Sequence, residues 1–198
     1  MNYTHLTAAP SAVADRFVAS ADMKVGAYIL DATAPTFGAR HVTCTRTVAG
    51  NADTPGTLVL VGKDLSGNTI TETLTVGAHT VLVTGTKFFA SLTSATGAGW
   101  VVDVGTTTKD TLEIGWDAIN AVAVGGGVLH SLTINTAAAG AIVIADSRGT
   151  IATIPSNQAA GSHFVWDVAW SGYLRVEPAA ASNITICHSP GVPTYATA

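Results

Sequence analysis

Histidine, serine, aspartate and cysteine are the residues of this chain that could carry acid–base, nucleophilic or metal chemistry, and their spacing decides how far sequence supports that. Six histidines, His5, His41, His79, His130, His163 and His188, are available as proton carriers or ligands. No two stand at i, i+2 or i+4 from one another, so no pair makes a metal-ligand motif. His130 shares strand parity with Val128, Leu132 and Ile134, which reads as a satisfied or interface-edge histidine rather than a ligand. Asp64-x-Ser66-Gly67-Asn68 echoes a calcium loop but lacks the later bidentate Glu and places its Gly before Asn68, so it reads as a hairpin turn with Gly67 at positive φ. Asp146-Ser147-Arg148-Gly149 reads the same way. The chain contains no G-x-S-x-G elbow, S-x-x-K, H-E-x-x-H or Walker loop. A Ser, His and Asp triad assembles in space and leaves no spacing to read; a hydrolase would need a cleft where the three converge. The expectation is a protein that is not an enzyme, with no cofactor and no metal.

Strand parity singles out two further groups. In HVTCTRTV, Arg46 shares a face with Val42, Cys44 and Val48, and in NTITETLTV, Glu72 shares a face with Ile70, Leu74 and Val76. Opposite charges on two apolar faces suggest a structural ion pair between Arg46 and Glu72, since an unpaired charge there costs several kcal/mol. The alternative is that these faces are solvated near strand ends. Trp166, Trp170 and Tyr173, with Trp100 and Trp116, offer flat rings for a glycan platform. Phe164, Trp166, Val168 and Trp170 also alternate on one strand face, as a sandwich core or an aromatic seam between subunits requires.

Composition sets the frame for these groups. The chain has 198 residues, 47% apolar and 11% charged, which is ample material for a core. Thr, Ala, Gly and Val dominate over Glu, Lys and Arg, favouring strands over helices. A net charge of -4 with scattered basic residues argues against nucleic acid as a partner. Mean hydropathy is +0.39, yet Thr, Gly or Asp interrupts every apolar run before it reaches the ~20 residues of a membrane-spanning helix. The excess apolar surface is therefore expected to meet other protein. The start of the chain lacks a basic, continuously apolar leader and reads as mature protein, with no export implied. Cys44 and Cys187 each sit in a strand-like run, where a free buried thiol acts as a small apolar residue.

From residue 24 onward, strand signals arrive at short intervals: KVGAYILD, ARHVTCTRTV, GTLVLVGKD, NTITETLTV, HTVLVTG, KFFASLTSA, WVVDVG and DTLEIGW. No crossover helix separates them, so antiparallel pairing is expected, with residues 57–89 forming a β-meander. Gly125-Gly126-Gly127 reads as a connector, and a second series follows: VLHSLTINT, AIVIADS, GTIATI, HFVWDVAW, YLRVEP and NITICHS. The fold class is all-β, an antiparallel β-sandwich or jelly-roll-like arrangement in two domains with extended terminal arms. The boundaries are an N-terminal arm at 1–22, with a short helix over 11–18, a first β domain at 23–117, a connector at 118–127, a second β domain at 128–189 and a tail at 190–198.

The segments GKDLSGNTITETLTV, VTGTKFFASLTSAT and VDVGTTTKDTLEIGW, followed by GGGVLHSLTINTAAAGAIVIADSRGTIATI and HFVWDVAWSGYLRVEPAAASNITI, resemble structural domains of tailed-bacteriophage virion proteins. The resemblance covers most of the chain. It departs from the pattern at Glu113-Ile114-Gly115-Trp116, where Gly-Leu-Pro is usual, and at Tyr173-Leu174, where Gly-Leu is common. It implies a non-enzymatic virion component, made in the host cytoplasm and placed on the capsid surface. The implied role is a capsid decoration or cement protein that bridges major capsid subunits, acting as a homotrimer with the major capsid protein as its partner. A tail-associated or carbohydrate-binding virion protein is the alternative. No nucleic acid and no membrane enter either reading.

Overall fold

The computed structural model describes residues 1–6, 12–22, 26–34, 38–49, 54–101, 109–180 and 182–190. Every helix or strand element among them is a β-strand, so the chain is all-β with antiparallel sheets, as expected. The strands are β1 (Asn2–Leu6), β2 (Val13–Asp22), β3 (Ala39–Thr47), β4 (Thr57–Lys63), β5 (Thr69–Thr75), β6 (Leu82–Phe89) and β7 (Ser91–Ala98). They continue with β8 (Thr111–Thr136), β9 (Ile142–Asp146), β10 (Gly149–Ile154), β11 (His163–Pro178) and β12 (Asn183–Pro190). The chain forms two compact units, one from Ser11–Ala118 and one from Met1–Pro10 together with Ile119–Ala198.

In the unit of residues 11–118, β4 and β5 form the expected hairpin, with Thr57 opposite Thr75 and Lys63 opposite Thr69. Its turn is built by Asp64. Oδ1 accepts from the Ser66 and Asn68 backbone N–H groups at 2.8 Å each, and Gly67 takes φ 80°. The expected meander does not continue. β7, not β6, completes a three-stranded sheet in the order β5-β4-β7, while β6 pairs with β3. The diversion begins at Thr80, whose φ is 56° and whose N–H donates to the Arg46 carbonyl at 2.7 Å. Val48 N–H in turn donates to His79 Nδ1, so the segment after β5 is tied to β3 before β6 starts.

The helix expected over 11–18 is also corrected. Its first residue lies outside the described set, but Val13–Asp22 is strand β2, with Val18 opposite Ile114. Burial overrides the helix preference of its alanines, because Phe17 and Val18 enter a core with Val42, Leu58, Leu60, Phe89, Leu92, Leu112, Ile114 and Trp116. In KVGAYILD, residues 26–30 are not a strand: Ala27 makes only an isolated bridge to Thr96. Most of WVVDVG lies outside the described residues.

The parity argument placed Arg46 and Glu72 on buried faces, and both are buried. Their pairing is corrected. Arg46 donates through Nε and Nη2 to Asp110 Oδ2 at 3.0 and 2.7 Å, with side chains 6% and 1% exposed. Asp110 Oδ1 accepts from the Ala49 N–H at 3.0 Å. Glu72 is neutralised differently: its Oε1 accepts from Thr86 N–H at 2.6 Å, Thr86 Oγ1 at 3.0 Å and Lys87 N–H at 3.3 Å. A β-carbon at Gly85 would lie 2.5 Å from the Glu72 carboxylate, so glycine there leaves the space it occupies. Sequence parity detects that a charge is buried; it does not say which partner reaches it.

In the other unit the sheet runs β1-β12-β8-β11-β9-β10. The expected N-terminal arm is therefore partly strand: β1 pairs with β12 from Asn2 opposite His188 to Leu6 opposite Ile184, and Leu6 is fully buried. The expected connector is strand as well. Gly125, Gly126 and Gly127 lie within β8 opposite Gly172, Ser171 and Trp170. A β-carbon at Gly127 would fall 1.9 Å from the Ser189 carbonyl oxygen and 3.0 Å from Trp170 Cζ2, so Gly127 serves close packing rather than a hinge. The expected tail beyond Pro190 lies outside the described residues.

Two outcomes test this packing. Gly127→Ala should lower stability by about 1–3 kcal/mol in chemical denaturation, because β12 or Trp170 must shift. In a double-mutant cycle, Arg46→Met and Asp110→Asn should each destabilise by about 3–5 kcal/mol and be strongly non-additive, whereas Arg46→Met and Glu72→Gln should be additive.

Candidate functional site

The strand register in the sheet of β1, β12, β8 and β11 decides which side chains share a surface. Tyr3 lies opposite Cys187, Cys187 opposite Ser131, and Ser131 opposite Val165, so these four form one row on one face. The next row on that face is His5, Thr185, Thr133 and His163. Thr133 Oγ1 and His163 Nδ1 are 2.8 Å apart, and Asn135 Nδ2 donates to Asn183 Oδ1 and Thr185 Oγ1 at 2.9 Å each. No residue in these two rows carries a formal charge with histidine neutral. Tyr3 is 70% exposed and Val165 63%, and the Tyr3 hydroxyl is pushed up chiefly by its hydrogen bond with the Cys187 thiol. Leu6, Ile134, Ile184, Leu132 and Ile186 occupy the opposite, buried face.

His130 breaks this regularity. On the β12 side the register slips between Cys187 and His188, which face Ser131 and Leu129; on the β11 side it slips between Val165 and Val168, which face the same two residues. His130 is thus the extra residue of β8 against β12, while against β11 it faces a bulge of the opposite sense, in which Trp166 and Asp167 together span its position; the two bulges re-aim its side chain. Its Nδ1 lies 2.6 Å from Asp167 Oδ1 on β11, and its Nε2 lies 3.1 Å from Ser189 Oγ on β12. Asp167 adopts φ 48°, a conformation a non-glycine residue takes at a cost of about 1–3 kcal/mol. His130 is satisfied, as parity suggested, but by Asp167 and Ser189. Nothing in their sequence spacing, 37 and 59 residues from His130, signals the grouping; only the two coincident register slips do.

The other histidines are each tied down. His41 Nδ1 meets Asp117 Oδ2 at 2.8 Å and its ring lies against Phe88 with centroids 4.0 Å apart; His79 accepts from Val48; His5 Nδ1 lies 3.4 Å from Thr185 Oγ1. His188 is on the buried face, 4% exposed, with Nε2 3.1 Å from Thr4 Oγ1 and Nδ1 without a hydrogen-bond partner. Burial, then the positive potential of His130 and the N-terminus, holds its imidazole below the ordinary histidine range. Among the described residues no group of three or more His, Cys, Asp or Glu is placed to hold a metal ion. The Asp146–Gly149 turn uses its acid internally: Asp146 Oδ2 accepts from Arg148 Nε, Arg148 Nη2 and the Ser171 N–H, beside a cavity of ≈ 300 Å³ that Val168 and Ala169 also line. Both cysteines are free and buried, and burial pushes the Cys44 thiol up to about 11.

The aromatic residues singled out in sequence do not converge on an open platform. Trp170 is fully buried, Trp166 is half-buried and stacked on Phe164 with centroids 6.0 Å apart, and Tyr173 is half-buried. Of Phe164, Trp166, Val168 and Trp170 only Trp170 is buried; the other three are half-buried, between the exposed His163, Val165 and Asp167. Trp116 is also buried, edge-on to Phe17 and flanked by the guanidiniums of Arg16 and Arg40 at 5.5 and 5.2 Å.

No family model, curated protein or solved structure matches the chain.

His188 gives a pH dependence of definite sign. Its folded pKa is below the unfolded value, so folding favours the neutral ring; that stability is intact above about pH 6.5 and is lost as pH falls from there. Thermal melts should show wild type losing more stability between pH 7.5 and 5 than His188→Asn does.

Proposed function

We propose that this chain is a structural protein of a tailed-bacteriophage virion, a capsid decoration protein that binds major capsid subunits on the particle surface as a homotrimer. Its resemblance to virion domains motivates the reading. The observation that carries it is the pair of uncharged rows across β1, β12, β8 and β11, in one of which Tyr3 and Val165 stand exposed. A flat sheet face with hydrogen-bonding Thr, Asn and His groups and exposed apolar anchors suits contact with another protein surface, where charge is costly to desolvate. The burial of Trp170 and Trp116 supports this over a tryptophan-based glycan site.

Light scattering of the purified protein should give a trimer, and co-sedimentation with capsids lacking it should show binding that raises their resistance to heat. Tyr3→Asp combined with Val165→Asp should abolish capsid binding while the circular dichroism spectrum is retained. A monomer that ignores capsids and binds cell-surface glycan instead would overturn the proposal.

A further inference from the structure

We propose that Ser189 is a nucleophile activated by His130 and Asp167, and that this site cleaves activated carboxylic esters presented from solvent. This is independent of the decoration reading. The observations are the continuous chain Asp167 Oδ1 to His130 Nδ1 at 2.6 Å and His130 Nε2 to Ser189 Oγ at 3.1 Å, and the way the backbone builds it. Two ladders slip at the same residue, and Asp167 adopts a left-handed backbone conformation. A regular sheet would leave His130 on the face of Leu132 and Ile134; the bulge sets it between an acid on one neighbouring strand and a hydroxyl on the other.

The roles follow from the connectivity. Asp167 Oδ1 accepts the hydrogen bond that His130 Nδ1–H donates, which leaves Nε2 with its lone pair toward Ser189 Oγ. When Oγ attacks an ester carbonyl, the Oγ–C bond forms and the hydroxyl proton passes to Nε2. Collapse of the tetrahedral intermediate breaks the bond to the alkoxy leaving group, which takes that proton and departs as the alcohol. Water then attacks the acyl group, again giving its proton to Nε2; the acid leaves and the proton returns to Oγ. No oxidant, metal or second reactant besides water is required. The His130 side chain is 23% exposed and that of Asp167 67%, so ester and water reach the site from the open face. Solvent hydrogen-bonds the developing oxyanion there, which restricts the substrate class to esters with good leaving groups, such as aryl esters. Asp167 is a positioning residue; Ser189 and His130 are the groups that touch the reacting atoms.

The test is hydrolysis of 4-nitrophenyl acetate, together with labelling by a fluorophosphonate probe and peptide mapping of the adduct. Wild-type protein should acquire the label on Ser189 in preference to its neighbour Ser131. Ser189→Ala and His130→Ala should lower hydrolysis by about 100-fold or more, the range of general-base activation, with melting temperatures showing each variant folded. Asp167→Asn should reduce kcat by about tenfold or more with KM unchanged, because the ring loses its tautomer and not its substrate contact. Surface imidazoles alone cleave such esters slowly, and that background would be the same in wild type and Ser189→Ala. Equal rates in those two proteins would overturn the proposal. So would wild-type labelling spread evenly over surface serines, a result that needs no folded variant.

Discussion

The constraint on which the sheet β1-β12-β8-β11-β9-β10 depends is the need to satisfy both edges of β8. Over its part from Ala121 to Thr136, each backbone amide and carbonyl that leaves water must find a partner in β11 or β12. Antiparallel ladders impose a two-residue alternation on all three strands at once, so a side chain can change faces only where a ladder yields. Both ladders yield at His130. Pairing resumes on either side, with Leu129 and Ser131 again opposite residues of both neighbours. The chemistry of this surface is thus a by-product of how hydrogen bonding is restored after one extra residue in β8 and one in β11.

Electrostatics in the unit of residues 11–118 obeys a related rule. With so few charges, the buried carboxylates Asp110 and Glu72 are each given several donors. Asp110 collects Arg46 and the Ala49 N–H, and Glu72 collects two backbone N–H groups and the Thr86 hydroxyl. Replacing a counter-ion by backbone dipoles, as Glu72 does, works because the amides of β6 point into a space left by a missing side chain at Gly85. Burial of charge here fixes which strands approach one another, more than it adds net stability.

Much of the fold was legible. Alternation in GTLVLVGKD and NTITETLTV and the Asp64 turn located β4 and β5 because those signals are local. What failed was non-local. The route of β6 depends on bonds from Arg46 and Val48 to residues 79 and 80, and the fate of Gly125–Gly127 depends on Trp170 and Ser189, which neither segment announces. A short helix was expected over 11–18, yet Phe17 and Val18 are drawn into a core assembled from strands far along the chain. For the site, parity put His130 on the buried side and was right about the strand but blind to the bulge. Ser189 and Asp167 carried no pattern at all, since their meeting is a property of register.

The pairing of β1 with β12 also bears on how the chain comes into being. Thr4 and His188, which touch across that pair, are 184 residues apart in sequence. During synthesis β1 is made long before the strand it completes, so Leu6 has no core to enter until nearly all the intervening chain has been translated. Closing so long a loop is slow by contact-order arguments. The pairings of β2 with β8, β3 with β6 and β4 with β5 and β7 all lie within the unit of residues 11–118, so they can form while β1 waits. Assembly on the ribosome is therefore expected to begin in the unit of residues 11–118, with β1 docking only once β12 has been made.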